Sequence, residues 1–280
     1  MGRECARCTG VLPDGKPTQE NIMTEEASQQ APAAPAQLPP FYRNPVPIDA
    51  NRHAKAGLRP RTDVNFARDT NAIVLTVSEF AVAARFYPIV FTSDSPAMPF
   101  AVVGLRDREN LFLDAEGRWE ESTYIPAYVR RYPFIFSEVP GSTQLVLCVD
   151  EGAEHFESES AEPFFVNGKP SVVLERALKF SETFQADFAE ARRFGEWLDS
   201  HGMLEEKVAR TTSEDGQQFT LRGFRLIDPE KMRTLEDGQV LELHKKGWLP
   251  LIHFHMQSLQ NLGALGRRLR ATQPESAAAS

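Results

Sequence analysis

The chain has 280 residues, 41% hydrophobic and 25% charged, enough to bury an ordinary core in one domain or two closely packed subdomains. Its formal net charge of -8 argues against a dedicated nucleic-acid binder, whose affinity rests on concentrated phosphate-facing cations, and leaves a protein or a small anionic metabolite as the expected partner. No apolar run is long enough to cross a bilayer, and charged and polar residues stand where a secretory signal needs its apolar stretch, so the expected location is the cytoplasm; export by machinery that reads another signal stays open.

Cys5 and Cys8 form a single C-x-x-C near the start, with no second pair and no closely spaced histidines to complete a zinc site. Met23 begins M-T-E-E-A-S, a plausible alternative start that would leave both cysteines out. From there to Pro40 the composition turns to Ala, Pro, Gln, Glu and Ser, which cannot bury enough apolar surface to offset its ordering entropy. Residues 1–41 are therefore expected to be a disordered tail, as are residues 272–280, with one folded unit over residues 42–271.

Within that unit short apolar runs at Ile73 to Val77, Pro88 to Phe91, Phe100 to Leu105, Asn110 to Asp114, Pro133 to Phe136 and Gln144 to Asp150 predict strands, separated by R-D-R-E-N, A-E-G-R and P-G-S. Two short helices are predicted between them: S-E-F-A-V-A-A-R-F with Ser78 as N-cap, and I-P-A-Y-V-R-R. Each runs into a Tyr-Pro step, A-R-F-Y-P-I-V-F and R-R-Y-P-F-I-F. Proline disfavours helix for the tyrosine before it and lacks a ladder donor, so both copies predict helix-to-strand junctions. Cys148 lies in the apolar run L-V-L-C-V and is expected to be a buried small hydrophobe.

The second half is helical in pattern. Apolar residues at three- and four-residue spacings from Ser171 to His201 predict a long amphipathic helix ending near Gly202. S-E-D-G then predicts a hairpin turn into the strand Q-F-T-L-R-G-F-R-L-I-D. Asp228 with Pro229 predicts a capped helix start, Thr234 with Asp237 a variant capping box for a helix stopped at Gly247, and one last helix is expected from Pro250 to about Arg270. The fold class is α+β: a strand-rich N-terminal half with a mainly antiparallel, meandering sheet, and a helix-rich C-terminal half.

The strings G-L-R-D-R-E-N-L-F-L-D-A-E-G-R-W and Y-I-P-A-Y-V-R-R-Y-P-F-I-F closely resemble the bacterial SapC family; S-E-F-A-V-A-A-R-F-Y-P-I-V-F, G-F-R-L-I-D-P-E-K-M and L-P-L-I-H-F-H-M-Q-S-L-Q-N-L fit its other blocks. The resemblance spans about Pro45 to Arg270. It implies a family without an established molecular activity, named after a surface-layer locus linked to serum resistance and often encoded beside outer-membrane receptors and flavin-dependent tryptophan halogenases. A surface-layer role is implied by that name alone. The peptide-transporter permease that shares the name would need several membrane spans, which this chain lacks.

The expected binding residues cluster at the two junctions: Arg85, Tyr87, Arg118, Trp119, Tyr124, Arg130, Arg131 and Tyr132. Arginine offers a planar bidentate donor to carboxylate or phosphate, and Tyr and Trp offer flat surfaces with a polar edge. If the two copies meet, these groups line an anion-accepting cleft; otherwise the tyrosines pack at a sheet edge and the arginines pair with Asp107, Glu120 and Glu121. The competing enzyme reading takes His155, Glu157, His253 and His255 as a two-histidine, one-carboxylate iron set. On a helix, however, His253 and His255 point about 200° apart. No G-x-S-x-G elbow is present, and neither phosphate-binding glycine motif occurs. The expectation is a non-enzymatic binding or accessory protein with no cofactor, the alternatives being a metal-dependent oxygenase or a hydrolase of unrecognised type.

Overall fold

The computed structural model describes residues 38–138, 144–212 and 218–271. The expected N-terminal tail through Gln37, with Cys5, Cys8 and Met23, the S-E-D-G turn and the C-terminal tail lie outside the described residues.

In chain order the elements are β1 (Pro45–Pro47), β2 (Gly57–Leu58), β3 (Ala72–Val74), α1 (Phe80–Ala83), β4 (Ile89–Thr92), β5 (Pro99–Val102), α2 (Ala127–Arg130), β6 (Phe134–Glu138), β7 (Leu145–Asp150), β8 (Phe156–Glu157), β9 (Phe165–Val166) and β10 (Lys169–Pro170). The helical half follows: α3 (Val172–Ser200), β11 (Leu204–Thr212), β12 (Gln218–Ile227), α4 (Pro229–Arg233), α5 (Asp237–Lys245), α6 (Leu249–Ser258) and α7 (Asn261–Ala271). The α+β class holds, with strands concentrated first and helices later.

The strands do not form one meander. They divide into a five-stranded sheet ordered β11-β12-β4-β5-β3, a three-stranded sheet ordered β1-β7-β6, and two short pairs, β2-β8 and β9-β10. The two Tyr-Pro junctions feed different sheets: Pro88 leads into β4 and Pro133 into β6. Register in the larger sheet aligns Val90 with Phe100, and Val74 with Phe100 from the other side. Side chains alternate between the faces of a strand, so Ile89 and Phe91 point the other way, and Phe91 meets Phe194 of α3 and His255 of α6. The main core is closed by α3, whose Phe184, Phe194, Trp197 and Leu198 are buried. A smaller core under β6 and β7 holds Phe134, Val149, Phe164 and Leu174.

Three local expectations are corrected. Asn110 to Asp114 is not a strand. Asn110 Oδ1 accepts from Phe112 N at 3.0 Å and its Nδ2 donates to the Ala67 carbonyl at 3.0 Å, so a side-chain-closed turn anchors Leu111 and Phe112 in the core. The cap of the first short helix is Thr76 rather than Ser78: its N–H and hydroxyl donate to Glu79 Oε2 at 2.8 and 2.9 Å. Downstream, α5 is capped by Glu236, whose N–H donates to Gln239 Oε1 at 2.9 Å, rather than by Thr234.

The last helix is two helices. Ser258 accepts Ile89 N–H at 2.9 Å and donates to the His255 carbonyl at 2.6 Å, while Asn261 Nδ2 donates to the Ala84 carbonyl at 2.8 Å. These side chains satisfy the backbone of the first Tyr-Pro junction, and the helix breaks between them.

Candidate functional site

Six of the eight expected residues fall in three places, and Arg85 and Arg118 lie outside them. Tyr87 is fully buried; its hydroxyl donates to the Tyr124 carbonyl and accepts from Trp119 Nε1 at 3.2 Å, which also donates to Thr123 Oγ1 at 3.0 Å. Burial pushes the Tyr87 phenol well above its ordinary range. This first group is internal architecture, with Arg118 outside it in a surface cleft, bound to Asp114 at 2.8 Å and Glu116 at 3.0 Å. Of the acids expected as partners, Glu120 pairs instead with Arg268 at 2.5 Å. Arg85 is exposed beside the Phe86 ring.

Two buried carboxylates, neither singled out from sequence, hold the second junction. Glu79 takes Ala127 N–H at 2.6 Å and the Tyr124 hydroxyl at 3.1 Å on Oε1, and both Thr76 donors on Oε2. Asp150 takes the backbone N–H groups of Arg43 (2.9 Å), Asn44 (2.6 Å) and Gly152 (3.0 Å) together with the Tyr132 hydroxyl at 3.1 Å. Each anion is neutralised by donors rather than by a cation, the arrangement that makes a buried carboxylate tolerable.

Between these anchors lies the second place, a cleft of about 460 Å³ that brings Arg130 and Tyr132 together with Arg59, Arg61 and His155. The antiparallel β2-β8 pair builds one wall: Leu58 pairs with Phe156, and Arg59 N–H donates to the His155 carbonyl at 2.9 Å. Gly57 permits this approach, because a Cβ there would stand 2.4 Å from the Glu162 carbonyl oxygen. Tyr132 stacks on Phe66 at 4.2 Å between centroids and lies 5.7 Å from the His155 ring. Arg130 lies over Tyr124, donating to its hydroxyl at 2.8 Å and to the Ile125 carbonyl at 3.0 Å.

Arg61 fixes the protonation of His155. A guanidinium can only donate, so the 3.1 Å contact between Arg61 Nη1 and His155 Nδ1 makes Nδ1 the acceptor and places the imidazole proton on Nε2. Burial, reinforced by the Arg61 charge, lowers the His155 pKa from 6.5 to about 4, so the ring is neutral at neutral pH. It is a hydrogen-bond donor in this state, with no free lone pair to serve as a base. Asp63 and Glu162 are the acids on the lining, and Asp63 is committed to Arg61. Among the described residues neither Arg59 nor Arg130 has a carboxylate within ion-pair distance.

Arg131 occupies the third place, a different cavity, with its guanidinium 4.4 Å from the Tyr128 ring centroid and 4.3 Å from that of Phe184. The pairing of Arg61 with His155, a residue considered only as a metal ligand, escaped sequence reasoning because the two are 94 residues apart; the one signal was the R-P-R step at Arg59 to Arg61 in an acidic chain.

The alternative iron set does not assemble. On α6, His253 is exposed while His255 is fully buried, its Nε2 accepting Ile227 N–H at 3.1 Å and its Nδ1 bonded to the Ile89 carbonyl at 2.8 Å. Glu157 sits in β8, and among the described residues no three His, Cys, Asp or Glu side chains are placed to share a metal. Cys148 is buried in β7, and burial raises its thiol pKa, away from the reactive thiolate. No described helix is long and apolar enough to cross a membrane.

No curated protein and no solved structure matches this chain. The family model of SapC matches residues 48–265, most of the chain and every block quoted above from Ser78 to Leu262, and the chain belongs to the SapC family.

Proposed function

We propose that this SapC domain is a non-enzymatic binding module for a small anionic metabolite, held in the cleft of Arg59, Arg61, Arg130, Tyr132 and His155. The observation that carries this reading is a local excess of positive charge without carboxylate partners. Arg59 and Arg130 have no ion-pair partner among the described residues, and a neutral histidine with its proton on Nε2 lines the same cavity. Such a set receives oxygen-rich anions through charge-assisted hydrogen bonds. Its histidine and tyrosine are not free to act as base or nucleophile: His155 Nδ1 is occupied by Arg61, and the Tyr132 hydroxyl is given to Asp150.

The test is a thermal-shift titration of the full chain with inorganic phosphate, citrate and nucleoside monophosphates, in wild type and in an Arg59→Ala, Arg130→Ala double variant. A ligand that binds only the folded state raises the melting temperature with concentration. A saturable rise in wild type that disappears in the folded double variant is expected. The same rise in both proteins, or none with any anion, overturns the reading.

A further inference from the structure

The geometry points to a second binding site on this molecule, for a free fatty carboxylate, in the apolar groove that runs from Arg131 across the five-stranded sheet. The groove begins as a cavity of about 450 Å³ whose walls include Val74, Met98, Phe100, Ile135, Phe184 and Phe188. A second cavity, of about 220 Å³, shares Ala72, Thr92 and Phe100 with the first and continues over Val90, Val102 and Phe224. Strand register explains the continuity. Ala72 pairs with Val102, Val74 and Val90 each pair with Phe100, and Thr92 pairs with Phe224, so these side chains share one sheet face while Ile89 and Phe91 pack against the helices. The space is therefore long and apolar, and shaped for a chain rather than a compact polar metabolite.

Arg222, exposed, lines the smaller cavity, and the larger one carries a more enclosed cation. The Arg131 guanidinium is sandwiched between Tyr128 and Phe184, its Nε is buried without a hydrogen-bond partner, and among the described residues no carboxylate lies within ion-pair distance of it. Asp94 is the one carboxylate on this lining, and its backbone carbonyl is held by Arg225 at 2.7 Å. A charge facing apolar walls without a counter-ion is costly, and a ligand carboxylate next to it gains a charge-assisted bond while its alkyl chain covers Phe100 and its neighbours. Charge complementarity at one end and apolar length beyond it select a linear carboxylate.

Isothermal titration of the full chain with sodium dodecanoate, kept below its micellar concentration, tests this. Saturable binding is expected, with dodecanol at least about tenfold weaker and Arg131→Met weakening dodecanoate by a similar factor. Ala72→Trp fills the groove without touching Arg131 and is expected to abolish binding; it decides the matter if circular dichroism shows Arg131→Met unfolded. Saturating citrate, a probe of the first cleft, is expected not to compete, so this site stands or falls independently of the function proposed above. Equal affinity for dodecanoate and dodecanol, full affinity in either folded variant, or no saturable binding overturns the proposal. A dimer that Ala72→Trp dissociates, or binding that appears only after residues 1–37 are removed, also overturns it, by showing that a second copy or the chain's own N-terminal segment fills the groove.

Discussion

Acid should loosen this protein through a histidine that takes no part in either site. His255 has no exposed surface and joins two elements, bonding the Ile89 carbonyl through Nδ1 and the Ile227 N–H through Nε2. Because Nε2 accepts, the ring must be neutral, and burial lowers its pKa from 6.5 to about 4. The unfolded chain therefore binds a proton that the folded chain refuses between those values. The stability concerned is present above pH 6.5 and is lost as pH falls toward 4. Between pH 7.5 and pH 5.0 the loss from this one group is about 2 kcal/mol, at about 1.4 kcal/mol per pKa unit. His155, lowered to about 4 as well, adds a similar amount. Urea unfolding at the two pH values should thus show wild type losing about 4 kcal/mol and His255→Gln losing about half that, with unchanged urea dependence. Glutamine keeps a donor and an acceptor but has no titrating group. Parallel losses in the two proteins would refute the buried neutral imidazole.

Two further substitutions test the architecture. Glu79→Gln leaves one oxygen where two serve, so its amide must face either Thr76 N–H or Ala127 N–H, and neither can turn round to accept. The expected cost is about 3 kcal/mol in chemical denaturation, and a loss below about 1 kcal/mol would show the carboxylate is not needed. Gly195→Ala improves helix propensity by about 1 kcal/mol yet puts a Cβ 1.7 Å from the Ala97 carbonyl oxygen, so the melting temperature should fall sharply or the protein be insoluble. A rise would mean that α3 can move away from the β4–β5 connection at Ala97 at little cost.

What the sequence showed of the fold depended on the range of the interactions involved. The helix α3 was legible because its apolar residues repeat along one face and Ser171 caps it locally, Leu174 N–H reaching Ser171 Oγ at 3.5 Å. Asp228 was legible for the same reason, accepting Glu230 N–H at 2.9 Å. The partition into two sheets was not, since the runs after Tyr87 and Tyr132 have the same pattern and their partners are set by distant strands. Leu111 and Phe112 looked like strand because burial, not pairing, explains their apolarity. At the site, Arg130 and Tyr132 were visible as a motif, while β2 and β8, two residues each, are too short to show any period, and they bring Arg61 to His155.

The family-specific string from Tyr124 to Phe136 acquires its meaning from this geometry. Its short helix turns about 100° per residue, so consecutive arginines diverge. Arg130 lines the donor-rich cleft and Arg131 the apolar groove. Glu79 fixes the start of the string through Tyr124 and Ala127, and Asp150 fixes its end through Tyr132. Both anchors are spent on donors within the fold, which leaves the two arginines as its charged groups without carboxylate partners among the described residues. The string is thus a wall shared by two cavities, anchored at both ends, and the doubled arginine puts one cation on each. A Tyr-Pro junction alone would need neither charge: the first copy, with its tyrosine buried and Arg85 turned out to solvent, also leads a helix into a strand.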